Sequence, residues 1–369
     1  MGQQQVVEIA RALGADARIL IMDEPTSALS AAEVEVLFKV IRDLTEQGVA
    51  IVYISHHLEE AIEIADHVVV FRDGELVATE IVDNIDLPWV VANMVGRAAE
   101  YNFIDEPRDF GDVALSIEHV KVIDPDAGGR LAVNDLSLQV RHGEVVCLYG
   151  LMGAGRTELM EAIAGRNPIV AGNVRLEGQD LADHSIQERI DMGIGLVPED
   201  RQRDGLIQLM SVGANMSLSS LMSTVKRWLI SRRQEKQGMA AKIRDVQVKT
   251  EGQHMPITSL SGGNQQKVVI GKMLLADPEV LLLDEPTRGI DVGAKGEIFG
   301  LLFREAKNGV AVLYVTSEIG EALTASHRIV VMAKGRIVRE FDPSTATREE
   351  VMAASGESVI DSDPIGASQ

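Results

Sequence analysis

Blocks of continuous apolar residues alternate along this chain with blocks whose apolar residues recur at helical spacing. The run RILIMDEP stays apolar until it ends in turn-forming residues, which predicts a strand buried on both faces of a sheet. GVAIVYIS predicts another strand, and HVVVFRDGELVATE predicts two strands around an Asp-Gly turn. Between them, SAAEVEVLFKVIRDL predicts a helix whose apolar residues share one face: Val34, Leu37, Phe38, Ile41 and Leu44. The alternation predicts an α/β fold with a mostly parallel sheet.

The same pattern returns 261 residues later. ILIMDEPTSALS aligns with VLLLDEPTRGID, which pairs Asp23 with Asp284. The same offset pairs Gly2 with Gly263, and no gap is needed from residue 2 to about residue 77. We therefore expect two copies of one folding unit.

The domain limits follow from this repeat. We predict a first unit over 1–97, and a linker over 98–112 where the chain is polar (RAAEYNFIDEPRDFGD). The second unit is predicted over 113–345, with a helical subdomain at about 200–262. The polar tail 346–369 is expected to be disordered at its end.

The two copies differ in length before the repeated text begins. The second copy has 150 residues between its start near Val113 and Gly263, whereas Met1 alone precedes Gly2. We therefore expect that about 149 residues of the first unit are missing and that the sequence opens in the middle of that unit.

Composition narrows the class of protein. The chain has 369 residues, of which 46% are apolar, which suits about two globular domains. Its formal net charge is −21, and this balance argues against a nucleic-acid partner. Cys147, the one cysteine, lies in an apolar run and predicts a buried, reduced thiol. The sequence has neither a membrane-spanning apolar run nor a secretory signal, so we expect it in the cytosol.

A glycine-rich loop follows one predicted strand, in GEVVCLYGLMGAGRTELMEAIAG. It matches the phosphate-binding pattern G-x-x-x-x-G-K-[ST], except that Arg156 replaces lysine. Thr157 would offer its hydroxyl to Mg²⁺, while the larger, forked Arg156 would hold phosphate without the geometry that hydrolysis needs. The alternatives are a loop without a ligand and a structural ion pair for Arg156. The candidate ATP-binding residues here are Gly150, Gly153, Ala154, Gly155, Arg156, Thr157 and Glu158.

Each copy also places an Asp-Glu pair at the end of an apolar strand. In such a pair, the first acid suits Mg²⁺ and the second can orient or deprotonate an attacking water. The pairs are Asp23 with Glu24 and Asp284 with Glu285. The alternative is that these acids merely end the strands in solvent. Two pairs at matching positions disfavour that alternative.

Two further motifs define a family resemblance. LSGGNQQKVVIGKML resembles the signature of ATP-binding cassette (ABC) proteins, and VLLLDEPTRGIDVGAK follows it. With GLMGAGRTEL and PEDRQRDGL, the set resembles the tandem ATPase subunits of bacterial monosaccharide importers of the ribose/galactose/xylose class. The resemblance implies a P-loop NTPase fold of the ABC type, in tandem cassettes of which the first is incomplete.

The resemblance also implies roles for individual residues. ATP would lie between the phosphate loop of one cassette and the signature of the other, with signature residues Ser261, Gly262, Gly263 and Gln265. Asp291 falls in the D-loop, although a plain turn aspartate is the alternative. The implied Mg²⁺ ligands are Thr157, Glu199 and Asp284, with Asp23 also near the nucleotide. The implied catalytic residues are Glu24, His56 and Glu285.

The second copy departs from the family pattern. Serine, at Ser317, stands where the first copy has the switch histidine, His56, and Glu199 stands where glutamine is usual. This copy is therefore predicted to bind nucleotide and to hydrolyse it poorly. The competent site would combine Glu24 and His56 with the second signature, and the chain alone is expected to show weak or no ATPase activity.

The function implied is ATP-driven import of a monosaccharide, with the chain peripheral to the cytoplasmic face of the inner membrane. Its partners would be transmembrane permease subunits and, indirectly, a periplasmic sugar-binding protein. Two alternatives remain: a soluble tandem ABC protein acting on ribosomes, and a truncated, non-hydrolysing nucleotide-binding regulator.

Overall fold

The chain forms two compact units. The computed structural model describes residues 17–23, 25–26, 31–55, 58–72, 75–95, 109–125, 128–219, 239 and 241–357. One unit is formed by the chain up to residue 100, and the other mostly by the chain beyond it.

The first unit alternates strands and helices as its sequence predicts. Strand β1 pairs in parallel with β2, and β3 forms an antiparallel hairpin with β4. Its core joins Leu20 and Met22 of β1 to Leu37, Phe38 and Ile41 of α1. The elements are β1 (Ile19–Asp23), α1 (Ala31–Glu46), β2 (Ala50–Ile54), α2 (Leu58–Ile64), β3 (His67–Arg72), β4 (Glu75–Ile81) and α3 (Leu87–Val95).

The first part of the second unit supplies the antiparallel strands and the phosphate loop. Between β10 and α6 lies a π-helical turn, Arg201–Gly205. The elements are β5 (Val113–Ile123), β6 (Leu131–Arg141), β7 (Val145–Tyr149), α4 (Arg156–Ala164), β8 (Ile169–Leu176), β9 (Gln179–Asp180), α5 (Ile186–Met192), β10 (Ile194–Val197) and α6 (Val212–Ser217).

The second part of this unit repeats the succession of the first unit. Its first helix is preceded by a 3₁₀ turn, Ile257–Ser259. The elements are α7 (Gly262–Leu274), β11 (Val280–Asp284), α8 (Val292–Lys307), β12 (Ala311–Thr316), α9 (Ile319–Thr324), β13 (Arg328–Ala333), β14 (Arg336–Phe341) and α10 (Arg348–Glu357).

Two sheets organise the second unit. The larger has the strand order β10-β11-β12-β7-β13-β14, with parallel pairing throughout except at β14. The smaller is antiparallel, in the order β6-β5-β8-β9. Strand β7 is buried along its whole length, and its successive residues enter different cores: Cys147 one, Val146 and Leu148 the other. The parallel sheet expected from the sequence is therefore present, and the antiparallel sheet is an addition to it.

The repeat seen in the sequence is also a repeat of structure. Strands β1 and β11, helices α1 and α8, and strands β3 and β13 begin and end 261 residues apart. The parallel pair in each unit has the same register, Ile19 opposite Ala50 and Val280 opposite Ala311. Both hairpins carry a register shift at the same place, after Val70 and after Val331. All seven successive elements from β1 to α3 begin 261 residues before their counterparts in the second unit.

One expectation about β1 is wrong. Strand β11 is buried on both faces, but β1 buries Leu20 and Met22 and leaves Ile19 and Ile21 each 66% exposed. In the second unit, alternate residues of β11 pack on both sides of the large sheet. The described residues of the first unit form a core on one side of β1 only. A continuous apolar run therefore does not by itself establish burial on both faces.

The predicted domain limits stay predictions, although one described helix bears on the last of them. Helix α10 buries Val351 and Ala354 in the core, so the folded second unit continues past the predicted limit at 345. The end of the tail (358–369), most of the linker (98–108) and the middle of the helical subdomain (220–238 and 240) lie outside the described residues.

Two expectations from composition can also be compared with the structure. Cys147 is a buried free thiol, as predicted. Across the part of the chain that the structure describes, no helix has both the length and the hydrophobicity needed to cross a bilayer.

Candidate nucleotide-binding site

The glycine-rich loop lies between β7 and α4, and its glycines are required by geometry. Gly153 and Gly155 adopt left-handed conformations, with φ of +79° and +96°. A Cβ on Gly155 would lie 2.1 Å from the carbonyl oxygen of Ala132, and one on Gly150 would lie 2.4 Å from that of Met332. The loop therefore keeps its path only with glycine at these positions.

The end of this loop is the N-terminus of α4. Ala154 is fixed by two main-chain bonds, donating to Leu151 (3.1 Å) and accepting from Gly335 (2.9 Å). The N–H groups of the first helical turn and the helix dipole together favour an anion at this point. Thr157 and Glu158 are half-buried in that turn. Because a carboxylate cannot donate to phosphate, any contact from Glu158 would come from its main-chain N–H.

Arg156 is buried and engaged within the protein. Its Nη1 donates to the carbonyl oxygen of Thr316 at 2.6 Å, and its Nη2 lies 3.2 Å from Oε1 of Glu285. The side chains of Arg156 and Glu285 are only 7% and 11% exposed, so solvent screens their attraction little. The structural ion pair that the sequence left as an alternative is thus formed in this structure, and it uses the second acid of the Asp-Glu pair.

Asp284, the first acid of that pair, has features that suit a divalent cation. It is 2% exposed, and its Oδ1 is buried without a hydrogen-bond partner among the described residues. Burial raises the pKa of its carboxyl to about 6, while a hydrogen bond from Thr157 acts in the opposite direction. A hydroxyl and a carboxylate with an unused buried oxygen are ligands that Mg²⁺ accepts. Thr157 and Asp284 therefore fit the predicted cation.

Glu199 is engaged elsewhere. Its carboxylate forms an ion pair with the guanidinium of Arg288, so the structure does not present it as a cation ligand beside Thr157 and Asp284. Arg201 also reaches this segment, donating to the carbonyl oxygens of Arg288 (2.9 Å) and Gly289 (3.3 Å). The motif PEDR thus connects the end of β10 to the segment after β11, a role that the sequence did not suggest.

The signature residues lie at the start of α7 but do different things. Ser261 is the exposed N-cap of the helix, and its hydroxyl accepts a hydrogen bond from Asn264 at 2.9 Å. Gly263 is buried, and Gly262 leaves room for Arg201, whose Nη2 would lie 2.8 Å from an added Cβ. The prediction that Gln265 binds nucleotide is not supported by its position.

Gln265 instead fixes the turn before the helix. Its side chain is buried and donates to the carbonyl oxygens of Ile257 and Leu260, both at 3.3 Å. The amide nitrogen is thus engaged within the protein, and its Oε1 is buried as well. The sequence contained a signal for the burial of Gln265, because Gln265 directly precedes a run of buried residues in α7.

The remaining predicted residues are either exposed or outside the described part of the chain. Glu24 and His56 lie outside the described residues. Asp23 is exposed at the end of β1, and Asp291 is exposed in the segment between β11 and α8. Ser317 is exposed directly after β12. In the second unit, the structure therefore brings together Arg156 with Glu285 and Thr157 with Asp284.

A buried polar cluster behind the ion pair was not predicted from the sequence. Glu321 accepts hydrogen bonds from Thr287 (2.5 Å) and Thr316 (2.7 Å), and Lys295 lies 3.2 Å from it. The repeat contained a signal for it, because Thr26 and Glu60 stand 261 residues before Thr287 and Glu321. Polar residues that recur at matched positions within an internal repeat thus indicate a shared buried network.

Comparison with known proteins agrees with this geometry. A family model described as ABC transporter matches residues 133–288, which contain the phosphate loop, the signature and the Asp-Glu pair. Among solved structures, a dimeric post-hydrolysis ATP-binding cassette bound to ADP and Pi has a TM-score of 0.56 at 23% identity, covering 62% of this chain and 98% of that one. A nucleotide-free cassette of an ABC transporter has a TM-score of 0.56 at 22% identity, with coverages of 66% and 96%. These likenesses concern the fold.

The chain belongs to the ABC transporter family of ATP-binding proteins. The xylose import ATP-binding protein of Brucella abortus (strain 2308) is 44% identical over 354 residues, covering 96% of this chain and 69% of that protein. Its counterpart from Pseudomonas fluorescens (strain Pf0-1) is 45% identical over 354 residues, covering 96% and 68%. The resemblance drawn from the motifs and the P-loop NTPase fold of the ABC type are both confirmed.

Proposed function

We propose that this chain is the ATP-binding subunit of a monosaccharide importer and that the sugar is xylose or a close relative. The observation that carries the proposal is the set of groups at the C-terminal ends of β7, β11 and β12. An anion cradle, a forked cation, a hydroxyl and two carboxylates converge there. The substrate class rests on the 44% identity to xylose import proteins.

The second unit would bind Mg-ATP at the loop Gly150–Thr157. Glycine-loop N–H groups and the helix dipole would hold the phosphates, and Thr157 and Asp284 would hold Mg²⁺. When bound, that cation neutralises phosphate charge. Ser261, Gly262 and Gly263 would face the nucleotide of a complementary cassette. The matching positions of the seven repeated elements support tandem cassettes, in which Glu24 and His56 would serve the hydrolytic site.

The Arg156–Glu285 ion pair supports the prediction that the second site binds nucleotide but hydrolyses it poorly. The Glu285 carboxylate lies 3.2 Å from the Arg156 guanidinium, so it is already engaged within the protein. The ion pair thus occupies the acid that would activate water. This observation also favours a second candidate function, that of a non-hydrolysing regulator. It gives no support to a soluble protein that acts on ribosomes.

The proposed partners are permease subunits in the membrane and, through them, a periplasmic sugar-binding protein. A subunit of this kind would lie on the cytoplasmic face of the inner membrane. The permease would contact the helical subdomain at about 200–262, of which 220–238 and 240 lie outside the described residues. Because the chain has a net charge of −21, we expect no nucleic-acid partner.

The direct test is uptake of labelled xylose. The gene with the DNA directly upstream of it, together with the permease and binding-protein genes from its own genome, would be expressed in a host that lacks its own xylose importers. We expect xylose uptake that depends on this chain and is lost in Thr157→Ala, with ribose and galactose as competitors to define the sugar. Uptake that is equal without this chain would contradict the proposal. Nucleotide binding without uptake would favour the regulator.

Glu285→Gln is expected to tighten binding of a fluorescent ATP analogue by the isolated chain about threefold. Phosphate must compete with Glu285 for Arg156. Removing the carboxylate charge weakens that competition, while the unchanged side-chain volume and the bond from Arg156 to the Thr316 carbonyl keep the guanidinium in its place. Glu349→Gln, which removes an equal charge at an exposed position, is the control and should leave the dissociation constant unchanged. Weaker binding in Glu285→Gln would mean that Glu285 supports the nucleotide instead.

A further inference from the structure

Glu321 is a buried carboxylate to which the proposed binding of Mg-ATP assigns no role. It lies in α9 and is 7% exposed. Its Oε1 accepts from the Thr287 hydroxyl at 2.5 Å and its Oε2 from the Thr316 hydroxyl at 2.7 Å. Lys295 supplies a positive charge 3.2 Å from Oε1. A buried carboxylate is expensive unless it is paired and hydrogen-bonded, and all of these partners meet that need.

The two threonines connect this carboxylate to the nucleotide site. Thr287 follows Glu285 by two residues, in the segment after β11. Thr316 is the last residue of β12, and its carbonyl oxygen is the acceptor for Arg156 at 2.6 Å. Glu321 thus holds the ends of two adjacent strands, one carrying Glu285 and the other carrying the acceptor for Arg156. A single side chain, that of Glu321, therefore fixes the two segments that carry the groups bound to Arg156.

The first unit repeats this arrangement of residue types. Thr26, Ser55 and Glu60 stand 261 residues before Thr287, Thr316 and Glu321. Valine, at Val34, occupies the place of Lys295, so the recurrence does not depend on that lysine. Each unit therefore has a hydroxyl after the strand that ends in the Asp-Glu pair, a hydroxyl at the end of the next strand, and a glutamate in the helix that follows.

From these contacts we propose that Glu321 is a positioning residue for the nucleotide site of the second unit. By binding Thr287 and Thr316, it keeps the Glu285 side chain and the Thr316 carbonyl at the spacing that seats Arg156 beside the phosphate loop. This inference rests on the proposed function, because it concerns how the same site holds Mg-ATP.

The test measures the dissociation constant of a fluorescent ATP analogue with Mg²⁺, and the melting temperature, for the full chain and its variants. Glu321→Ala should raise the dissociation constant about tenfold, because both threonines lose their acceptor and the seat of Arg156 is released. Glu318→Gln is the matched control, since Glu318 also pairs with Lys295 (2.6 Å) but accepts from neither threonine. It should leave the dissociation constant within about twofold of the wild type.

A second control distinguishes a general loss of stability from a specific loss of nucleotide affinity. Val174→Ala removes buried apolar volume from the antiparallel sheet, and it should lower the melting temperature while leaving nucleotide affinity within about twofold. If Glu321→Ala lowers the melting temperature but likewise keeps its affinity, Glu321 is merely structural and the inference is wrong. An equal loss of affinity in Glu318→Gln would overturn it too, because the lysine charge would then be responsible.

Glu321→Gln decides the matter if the alanine variant does not fold. It keeps the volume and one acceptor oxygen, so a rise of about threefold in the dissociation constant is expected, and an unchanged constant would overturn the inference. A wild-type chain that binds no nucleotide would overturn the proposed function itself, and this inference with it. Wild-type binding with unaffected Glu321 variants would overturn the inference alone.

Discussion

Gly153→Asp is expected to weaken Mg-ATP binding about one hundredfold or more. Gly153 has a φ of +79°, and a Cβ at this position would meet no atom within 4 Å, so the substitution causes no collision. Two costs remain. A side chain is strained in this left-handed conformation, and a carboxylate at the mouth of an anion cradle repels phosphate. The dissociation constant of a fluorescent ATP analogue, measured by titration, gives the effect directly.

Gly153→Asn separates these two costs. Asparagine has nearly the size of aspartate and tolerates positive φ better than most residues, but it carries no charge. We expect it to weaken binding about tenfold or less, so that most of the loss in Gly153→Asp is electrostatic. Equal affinities for Gly153→Asp and wild type would mean that the loop at residues 150–157 does not hold the phosphates.

Asp284→Asn is expected to stabilise the nucleotide-free chain while abolishing the Mg²⁺ dependence of nucleotide binding. Burial raises the pKa of Asp284 to about 6, above its value in the unfolded chain. The ionised form is therefore disfavoured by folding. That cost is fully present above pH 6 and disappears as the pH falls towards the unfolded pKa. Removing the charge should raise the free energy of unfolding by about 3 kcal/mol at pH 7.5, and by about half as much at pH 5.

Urea denaturation at the two pH values measures the free energy of unfolding. Nucleotide titrations with and without Mg²⁺ measure the Mg²⁺ dependence of binding. Wild-type affinity for Mg-nucleotide should also fall below about pH 6, where Asp284 becomes protonated. Asp277→Asn, at an exposed position after α7, is the control and should change neither measurement. A destabilised Asp284→Asn variant would indicate that the carboxylate is paired in the folded chain, contrary to the geometry of its Oδ1.

The sequence alone predicted most of the fold where local rules apply. The continuous apolar runs of β2, β7 and β11 and the helical spacing in α1 were sufficient to place those elements. The phosphate loop was recognisable because its glycines answer a local need, two of them at positive φ. The offset of 261 residues, which is a property of the sequence, also matches the positions of corresponding elements in the two units.

Tertiary structure alone decided which side chains meet. Strand order places β7 next to β12, so Arg156 reaches the carbonyl oxygen of Thr316 and, beyond it, Glu285. The same order sets Glu199, after β10, against Arg288, after β11. Periodicity reports which face of an element is buried, but it carries no information on which strand becomes its neighbour. The chain's motifs thus specified a nucleotide site, whereas the partners of its charged groups, and with them its chemistry, depended on how the strands were assembled.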